Sequence, residues 1–504
     1  MRDRKFYIIF AVIFALGLFI RVYDLTGRPL HHDEGVIGWF ELNIYKACMG
    51  PKTDYSNYAK SCGSSYSYDP EYHGPLPFLA GAWFFALFGV SDYTLRLPFV
   101  ILSLGLILLL LFLRKELGDT GVLASGALIA FSPSMAFYGQ SINDNYTLFF
   151  ALGSIVCACR LAETKRSKWL YLGTASLTLL FTVKETAFLF VGLSGAYLLM
   201  LALFRYGGSF IRAPGKTLSA CFFAALKCGK KWMKRVLLSL LLSAFIYCFV
   251  YSTMFTDFGD VWKGITYGFT FWLGRSTTWS AHFKPFDYYL DILLGYELAV
   301  CVLSLAALFV LRSGFSRWCA WWSITTLAIY SCVPYKTPWL DINFVLPMAL
   351  LAGAGVNEYS LILKEWKRYL PVLFLIPLLF YSLYAAWDAT YANYNSESNK
   401  LSYVGTLDDY TKLIRDISAK ADIYGMNNTN IAIVVTDPWP LPWSLRDYNV
   451  SYGGSQLKTL IIITEKDGYS RIAPDMRYRY DAPGKYEIRK GMYIYAYSWK
   501  DIQA

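Results

Sequence analysis

The sequence predicts a polytopic α-helical membrane protein with a small soluble α/β domain at its C-terminal end. The chain of 504 residues is 56% hydrophobic and 18% aromatic. Apolar runs of about 16 to 22 residues recur along it, and each is long enough to cross a hydrocarbon core of about 30 Å as a helix. Residues 388–504 lack such runs and contain strand-like segments, "IAIVVTD" from residue 431 and "LKTLIIITEKD" from residue 457, after a helix predicted at 408–424.

Eleven membrane-spanning helices are predicted. The first, at 5–23, is not followed by a small-residue cleavage site, so we interpret it as a retained helix and not as a signal peptide. The others lie near 94–113, 120–137, 146–163, 169–183, 186–204, 236–254, 289–311, 318–333, 341–357 and 369–387. A further apolar stretch at 74–89 has sixteen residues and two prolines near its start, so it either spans the membrane or lies along its surface.

The distribution of basic residues decides between these two placements. If 74–89 does not span, the basic connections all fall on the side of the N-terminus, as the positive-inside rule requires; they are 114–115, 163–168, 205–235, 312–317 and 364–368. We therefore predict an interfacial helix at 74–89 within a first outer loop at 24–93. The prediction is a transmembrane domain at 1–387 in the plasma membrane, with the soluble domain at 388–504 and the active site on the extracytoplasmic side.

The net charge of +11 does not indicate a nucleic-acid partner. The basic residues concentrate in short segments between spans, where the positive-inside rule accounts for them. Eight of the ten cysteines lie in or beside apolar spans, where a thiol behaves as a small hydrophobic group. Cys48 and Cys62 share a polar loop, and they are expected to form a disulfide if that loop faces an oxidising compartment.

The first candidate site follows the first span, in "RPLHHDEGVIGWF" at 28–40. Asp33 and Glu34 are flanked there by apolar residues that press them against the membrane surface. Desolvation is expected to raise the pKa of such a carboxylate and to make it a usable general base. The alternative is an acidic loop exposed to solvent. His31 and His32 are expected to hydrogen-bond to the two acids.

A second acidic turn lies on the same predicted side, between the spans near 120–137 and 146–163. It contains Asn143 and Asp144, and taken alone such a pair is typical of a helix N-cap. Because the turn faces the same compartment as Asp33, we predict a functional role for Asp144 with Asn143 beside it.

Several other side chains on this side are candidate contacts for a substrate. Glu71 and His73 end the first outer loop, and His73 is a phosphate contact, a metal ligand or an interfacial histidine. Lys336 is the single basic residue of a tight turn, "VPYKTPWLDINF", and a cation at the headgroup level suits an anionic lipid phosphate. Arg275 and His282 in "LGRSTTWSAHF" offer further donors.

Other kinds of chemistry find little support in the sequence. It contains no Walker loop, no Gly-rich nucleotide fingerprint, no zinc spacing and no G-x-S-x-G motif, so soluble nucleotide cofactors are not indicated. Lys184 and Glu185 join two spans with almost no loop. They either form an ion pair that caps two helices or belong to the site.

The order of these motifs resembles a family of polyprenyl-phosphate-sugar glycosyltransferases with the GT-C fold, in the branch of the protein O-mannosyltransferases and aminoarabinose transferases. The resemblance rests on "HHDEG", "HGPLPFL", "DYTLRLPF" and "SPSMAFYGQSIND", in that order. "YKTPWL" and "DPWPLPWSLRDY" look more specifically like an archaeal and bacterial subgroup described as flippase-activity-associated.

This resemblance implies an inverting transfer of a sugar from dolichyl or another polyprenyl phosphate to a hydroxyl of an acceptor protein, glycan or lipid at the outer face. Asp33 matches the acid proposed as general base, Glu34 supports it, and Asp144 matches the second acid, which positions acceptor or sugar. Many relatives have Lys before a Pro-Pro pair where this chain has His73 before Gly74-Pro75, and this departure puts the phosphate role of His73 in doubt.

The implied leaving group is a lipid phosphate, which needs cations more than a general acid. Lys336, with Arg275 and His73, is expected to supply them. The metal-dependent oligosaccharyltransferases share the fold, but their Trp-Trp-Asp motif is absent here, so no cofactor and no obligatory metal are expected. Two alternatives remain: an accessory protein for translocation of lipid-linked sugar that performs no chemistry, and a surface scaffold that recruits partners through its C-terminal domain.

Overall fold

The computed structural model describes residues 3–51, 53, 55–212, 230–275, 282–425, 429–453, 459–465 and 480–499. Within these ranges the chain forms a bundle of helices, followed by a domain with a five-stranded sheet. Both agree with the fold class expected from the hydropathy pattern.

The predicted first outer loop is largely helical. After α1 (Asp3–Val22) come α2 (His32–Cys48), α3 (Tyr58–Gly63) and α4 (Leu76–Phe88), and a disulfide between Cys48 and Cys62 joins α2 to α3. With 13 residues, α4 is about 20 Å long, too short to cross a hydrocarbon core. It packs against α2 and α5 instead, which supports the predicted interfacial placement.

The remaining bundle helices surround one buried helix. They are α5 (Asp92–Leu109), α6 (Arg114–Phe131), α7 (Pro133–Phe137), α8 (Asp144–Thr164), α9 (Ser167–Val183), α10 (Thr186–Arg212), α11 (Lys230–Tyr251), α12 (Gly259–Arg275), α13 (Tyr288–Tyr296), α14 (Leu298–Ala307), α15 (Gly314–Cys332), α16 (Ile342–Ile362) and α17 (Leu370–Trp387). The central helix is α16, which contacts α6, α14 and α15 and is buried along almost its whole length.

Every predicted span overlaps a helix, but the count of eleven is not reached by length and composition. In the described part of the chain, seven helices are long and apolar enough to cross a membrane, or eight if α13 and α14 count as one bent span. The predicted spans at 94–113 and 120–137 lie in one apolar stretch of 40 residues, Asp92–Phe131, which Gly118 interrupts with a φ of 72°, so the stretch is long enough for two spans. With 17 residues, α9 is at the lower limit of length for a span.

One predicted span, at 289–311, is broken. Its two halves, α13 and α14, meet at an angle of 101°. Glu297 lies at the break, where its buried carboxylate accepts hydrogen bonds from the Ser132 hydroxyl at 2.6 Å and the Ser134 amide at 2.9 Å. The predicted span at 289–311 is therefore not one continuous helix. The chain turns at Glu297, whose carboxylate binds the start of α7.

The C-terminal domain contains α18 (Asp408–Tyr424), a short helix α19 (Leu441–Ser444) and five strands, β1 (Asn430–Val434), β2 (Asn449–Tyr452), β3 (Ile461–Glu465), β4 (Gly484–Arg489) and β5 (Met492–Ser498). The strand order is β2-β1-β3-β5-β4. β1 pairs in parallel with β2 and β3, whereas β5 is antiparallel to β3 and β4. α18 covers β4, so the predicted α/β character is confirmed.

The C-terminal domain is docked on the bundle through α19, which lies against α2. A Cβ atom added at Gly35 would lie 2.5 Å from Cβ of Pro440, and one at Gly38 would lie 2.7 Å from the ring of Trp443. Trp443 is fully buried and donates a hydrogen bond to Asp92 at 2.8 Å. Two glycines one turn apart thus give α2 a flat face on which the domain is held closely.

Candidate functional site

A cavity of about 660 Å³ lies where the first outer loop, the turn before α8 and the C-terminal domain meet. Each of the three contributes charged or polar side chains. The lining includes His31, His32, Asp33, Glu71, His73, Asn143, Asp144, Lys184, Trp272, His282, Tyr335, Trp339, Tyr403, Asp437, Trp439 and Arg489. The structure therefore brings together most of the candidate residues, which are far apart in sequence.

Asp33 is presented by the first turn of α2. The His31 side chain accepts a hydrogen bond from the Asp33 amide at 3.1 Å, and Glu34 accepts one from the His31 amide at 2.8 Å, which together form a capping box. This local arrangement begins the helix at the edge of the cavity. The expectation that His31 hydrogen-bonds to the acids is confirmed.

Glu34 faces the opposite way and does not line the cavity. It is 1% exposed and binds Arg96 through both oxygens, at 2.6 Å and 2.9 Å. Although burial favours the neutral acid, Arg96 holds the pKa of Glu34 below its ordinary value. Glu34 therefore anchors α2 to α5 and the preceding loop, which places it behind Asp33 as support and away from the space where a substrate would lie.

The pKa predicted for Asp33 is wrong in direction. Burial does raise the pKa of this carboxyl, but the hydrogen bond from His32 and the nearby histidines outweigh burial and lower the pKa to about 2. The Nδ1 atom of His32 is 3.0 Å from Oδ1 of Asp33. Asp33 is thus a carboxylate with a cationic partner, and among the described residues its Oδ2 atom has no hydrogen-bond donor.

Asp144 forms a second charged pair on the cavity wall. Its Oδ2 accepts a hydrogen bond from Lys184 at 2.7 Å, and its Oδ1 accepts one from Asn343 at 2.9 Å. Asn143, one residue earlier, lines the cavity with a buried carbonyl oxygen that has no partner among the described residues. Of the two alternatives for Lys184 and Glu185, the ion pair between them does not occur, because Lys184 binds Asp144 and Glu185 binds His73, two residues that line the cavity.

His73 reaches the cavity from the end of the first outer loop. Its Nδ1 atom is 2.8 Å from Glu185, and its ring stacks on Trp272 with 4.8 Å between centroids. Glu71 and His282 line the same cavity, and the Tyr403 hydroxyl is 3.0 Å from His282. All three predicted contacts are therefore positioned to meet a ligand.

Two predicted phosphate contacts are not part of this cavity as described. Lys336 is 1% exposed, and its ammonium donates to the carbonyls of Val333 at 2.6 Å and Lys284 at 3.2 Å. It closes the turn between 282–284 and 334–336, which explains why a tight turn carries a lysine. Arg275 ends α12, and its side chain lies outside the described residues.

The structure adds to the site two charged residues that were not predicted from the sequence. Asp437 and Arg489 come from the C-terminal domain and pair at 2.7 Å. The signal available was "DPWPLPWSLRDY", which begins at Asp437, but its function is ambiguous without the fold. Its Trp443 packs in the domain interface, whereas Trp439 lines the cavity.

The donor set of the cavity does not resemble a metal centre. Within the described ranges, no group of three or more His, Cys, Asp or Glu side chains is arranged to hold a metal ion. Three acids that line the cavity, Asp33, Asp144 and Asp437, are instead paired with His32, Lys184 and Arg489 respectively. The expectation of metal independence stays a prediction.

Comparisons with known proteins agree with this fold. A family model described as dolichyl-phosphate-mannose-protein mannosyltransferase matches residues 72–232. Two crystal structures of ArnT from Cupriavidus metallidurans, in the apo state and bound to undecaprenyl phosphate, superpose with a TM-score of 0.58 over 98% of each chain, at 12% and 13% identity. No curated protein matches the chain.

At this level of identity the structural likeness establishes the fold, and together with the family model it confirms the resemblance to GT-C transferases of polyprenyl-phosphate sugars. The archaeal and bacterial subgroup stays a prediction.

Proposed function

We propose that this GT-C fold membrane protein is a glycosyltransferase that moves a sugar from a polyprenyl phosphate, such as a dolichyl phosphate, to an acceptor hydroxyl at the outer face of the plasma membrane. The observation that carries the proposal is the cavity, in which one carboxylate with an open oxygen, Asp33, faces a wall that also contains cations. The structural relative from Cupriavidus was captured with undecaprenyl phosphate, which supports a lipid phosphate as the partner.

The reaction assigned to this site is a direct displacement. The acceptor oxygen attacks the anomeric carbon from the face opposite the phosphate, and the bond from that carbon to the phosphate oxygen breaks. The configuration at the anomeric carbon is inverted. The acceptor proton passes to Oδ2 of Asp33, while Oδ1 stays bound to His32. The products are the glycosylated acceptor and the lipid phosphate monoester.

Cations on the cavity wall stabilise the departing phosphate. A phosphate monoester has a second pKa near ~6, so it leaves without a general acid when positive charge is at hand. Lys184 lines the bundle side of the cavity and Arg489 lines the other side, and the ring of His73 lies on the same wall as Lys184. Asp144 holds Lys184 in place and, with Asn143, offers oxygens to sugar hydroxyls.

The outer face is supported by two independent features. In the predicted topology, the basic connections between spans lie with the N-terminus on the cytoplasmic side, opposite the first outer loop that presents Asp33, as the positive-inside rule requires. In addition, Cys48 and Cys62 form a disulfide between α2 and α3 of the first outer loop, and disulfides persist in oxidising compartments.

The deciding experiment follows release of free lipid phosphate from a panel of polyprenyl-phosphate pentoses and hexoses by purified full-length protein. Asp33→Asn removes the base, and we expect release to fall by about 10²- to 10⁴-fold. Asp287→Asn, at an exposed acid outside the cavity, is the matched control and is expected to act as wild type. Equal release by wild type and Asp33→Asn sinks the catalytic assignment.

The two alternatives predict different outcomes, one in the release assay and one in cells. A translocation accessory that performs no chemistry releases no lipid phosphate with any sugar of the panel, while it still binds the lipid. A scaffold tolerates Asp33→Asn without consequence in cells. Either result would replace the proposed transferase.

A further inference from the structure

His32 lies between two carboxylates that come from different parts of the molecule. Its Nδ1 atom is 3.0 Å from Oδ1 of Asp33, and its Nε2 atom is 3.3 Å from Oδ1 of Asp437. A neutral imidazole carries a hydrogen on one ring nitrogen, whereas an imidazolium donates from both. Two acceptors on two nitrogens therefore favour the charged ring.

Asp437 is itself fixed by its own domain. Its Oδ2 is 2.7 Å from Nη1 of Arg489, and Arg489 also donates to the carbonyl of Trp439. Asp33, His32, Asp437 and Arg489 thus form a charged row that crosses from α2 to β4. Such charge-assisted contacts are stronger and more directional than neutral hydrogen bonds.

The docking of α19 makes this row geometrically rigid. Pro440 lies against Gly35 so closely that a Cβ atom at this glycine would meet its ring, and Trp443 fills the space over Gly38. Asp437 is only three residues before Pro440, so its distance from α2 is set by this packing.

The other charged or titratable groups near the row come from several elements. His31 lies beside His32, and His73 of the first outer loop faces Asp33. Tyr72 lies near Asp437, and Glu34 with its partner Arg96 lies behind the turn. The outcome is that burial lowers the pKa of His32, but the hydrogen bonds to its two acids outweigh burial and raise the pKa to about 9.

We propose that Asp437 is a positioning residue for the transfer reaction: it holds His32 in its charged form, and His32 in turn holds the carboxylate of Asp33 toward the acceptor hydroxyl. The inference rests on the proposed function and deepens it. The C-terminal domain thereby completes a site that α2 begins, since His32 requires one acid from each.

The consequence is a dependence of catalysis on the charge of His32. When His32 loses its proton at alkaline pH, Asp33 loses its oriented partner and the cavity loses a positive charge beside the departing phosphate. The turnover number kcat is expected to fall as pH rises through about 9 in the wild type. Asp437→Asn removes one of the two acids, so the fall is expected at least about one pH unit lower.

The first measurement does not depend on activity. The protein contains four histidines, so NMR of the full-length protein with labelled histidine follows each ring, and His32→Gln identifies the signal of His32. Its titration midpoint is expected to drop by about one pH unit or more in Asp437→Asn. Asp437→Glu is expected to keep the wild-type midpoint. Asp447→Asn, at a 64% exposed acid of the same domain, is the matched control.

The second measurement is the pH profile of lipid phosphate release. In Asp437→Asn the alkaline limb is expected to move together with the His32 midpoint, with kcat lowered about 3- to 10-fold and KM for the lipid donor changed less than about twofold. A His32 midpoint that stays in place in Asp437→Asn, or an alkaline limb that stays while the midpoint moves, overturns the inference. If no variant, wild type included, releases lipid phosphate, the proposed function fails and a moved midpoint still establishes the contact.

Discussion

Two acids that line the cavity, Asp33 and Asp144, are held in opposite ways. Asp33 is 38% exposed, and its partner His32 is shared with Asp437 of the C-terminal domain. Asp144 is 1% exposed, and its partner Lys184 belongs to the helical bundle as Asp144 does. One pair therefore depends on how two domains meet, and the other depends only on how two helices pack.

This difference indicates different roles. A buried ion pair is expensive to separate, because each charge would be left without water or a partner, so Asp144 with Lys184 is a fixed part of the wall. The charge of His32 is lost as pH rises through about 9, and both of its acids are partly exposed, so the pair of Asp33 and His32 is the weaker constraint. We therefore assign the proton transfer to Asp33 and the positioning of sugar or phosphate to the pair of Asp144 and Lys184.

The largest effect on stability is expected from breaking the buried pair. Lys184→Met leaves the carboxylate of Asp144 buried without its cation, which should lower the free energy of unfolding by about 3–5 kcal/mol. Asp33→Asn should cost less than about 1 kcal/mol, since Asp33 is partly exposed. Unfolding in detergent measures both.

The double variant Asp144→Asn with Lys184→Met removes both charges and is the control for lost packing. It is expected to recover most of the stability that Lys184→Met loses, because no unpaired charge remains. If Lys184→Met lowers the free energy of unfolding no more than Asp33→Asn does, Asp33 and Asp144 are not held differently.

A smaller effect is expected from disturbing the interface that brings Asp437 to His32. In Gly35→Ala the new methyl group meets Pro440, at 2.5 Å from Cβ and 2.7 Å from Cα in the present packing. Such overpacking costs about 1–3 kcal/mol, partly offset by the roughly 1 kcal/mol that alanine gains over glycine in a helix. We expect a lower free energy of unfolding and faster proteolysis after residue 387.

Gly195→Ala in α10 separates the two contributions. Nothing lies within 4 Å of a Cβ atom at this glycine, so this variant should show only the helix gain. Equal behaviour of the two alanine variants would mean that the C-terminal domain does not press on α2.

The sequence carried enough information for the architecture and for part of the site. Apolar runs and basic loops predicted the helical bundle and the interfacial helix at 74–89, because hydrophobic length and charge placement are properties of the chain itself. Asp33 was also identifiable, since it lies about ten residues beyond the first predicted span. Contacts between side chains of the folded protein could not be identified from the sequence. Two such contacts are the binding of Glu34 to Arg96 and the effect of His32, which lowers the pKa of Asp33.

Lys336 is a residue for which the local sequence predicted a role that the fold does not support. A lone lysine in a turn looks like a phosphate ligand, but only the fold reveals the carbonyls of Val333 and Lys284 that bind its ammonium. Asp437 and Arg489 could not be assigned either, because no sequence pattern states which face of a sheet domain meets the membrane domain. Long-range packing, not local preference, determines all of these roles.

The smallest expected effect is a dependence of stability on pH that distinguishes the two pairs. The pKa of His32 is raised from 6.5 to about 9 in the folded protein, so its contribution is complete below about pH 6.5 and is lost as pH rises through about 9. The pKa of Asp33 is lowered to about 2, so its contribution is present above about pH 3.9 and is lost as pH falls toward 2.

We expect the free energy of unfolding to fall by about 1 kcal/mol between pH 6.5 and 10, a value reduced for the solvent exposure of both acids. In His32→Gln the side chain still donates a hydrogen bond but does not titrate, so this part of the decrease should disappear. Lys184→Met should keep it, because the pair at Asp144 does not include an imidazole. The same alkaline decrease in wild type and His32→Gln would show that another group is responsible, and Asp33 and Asp144 would then not differ in the way their partners respond to pH.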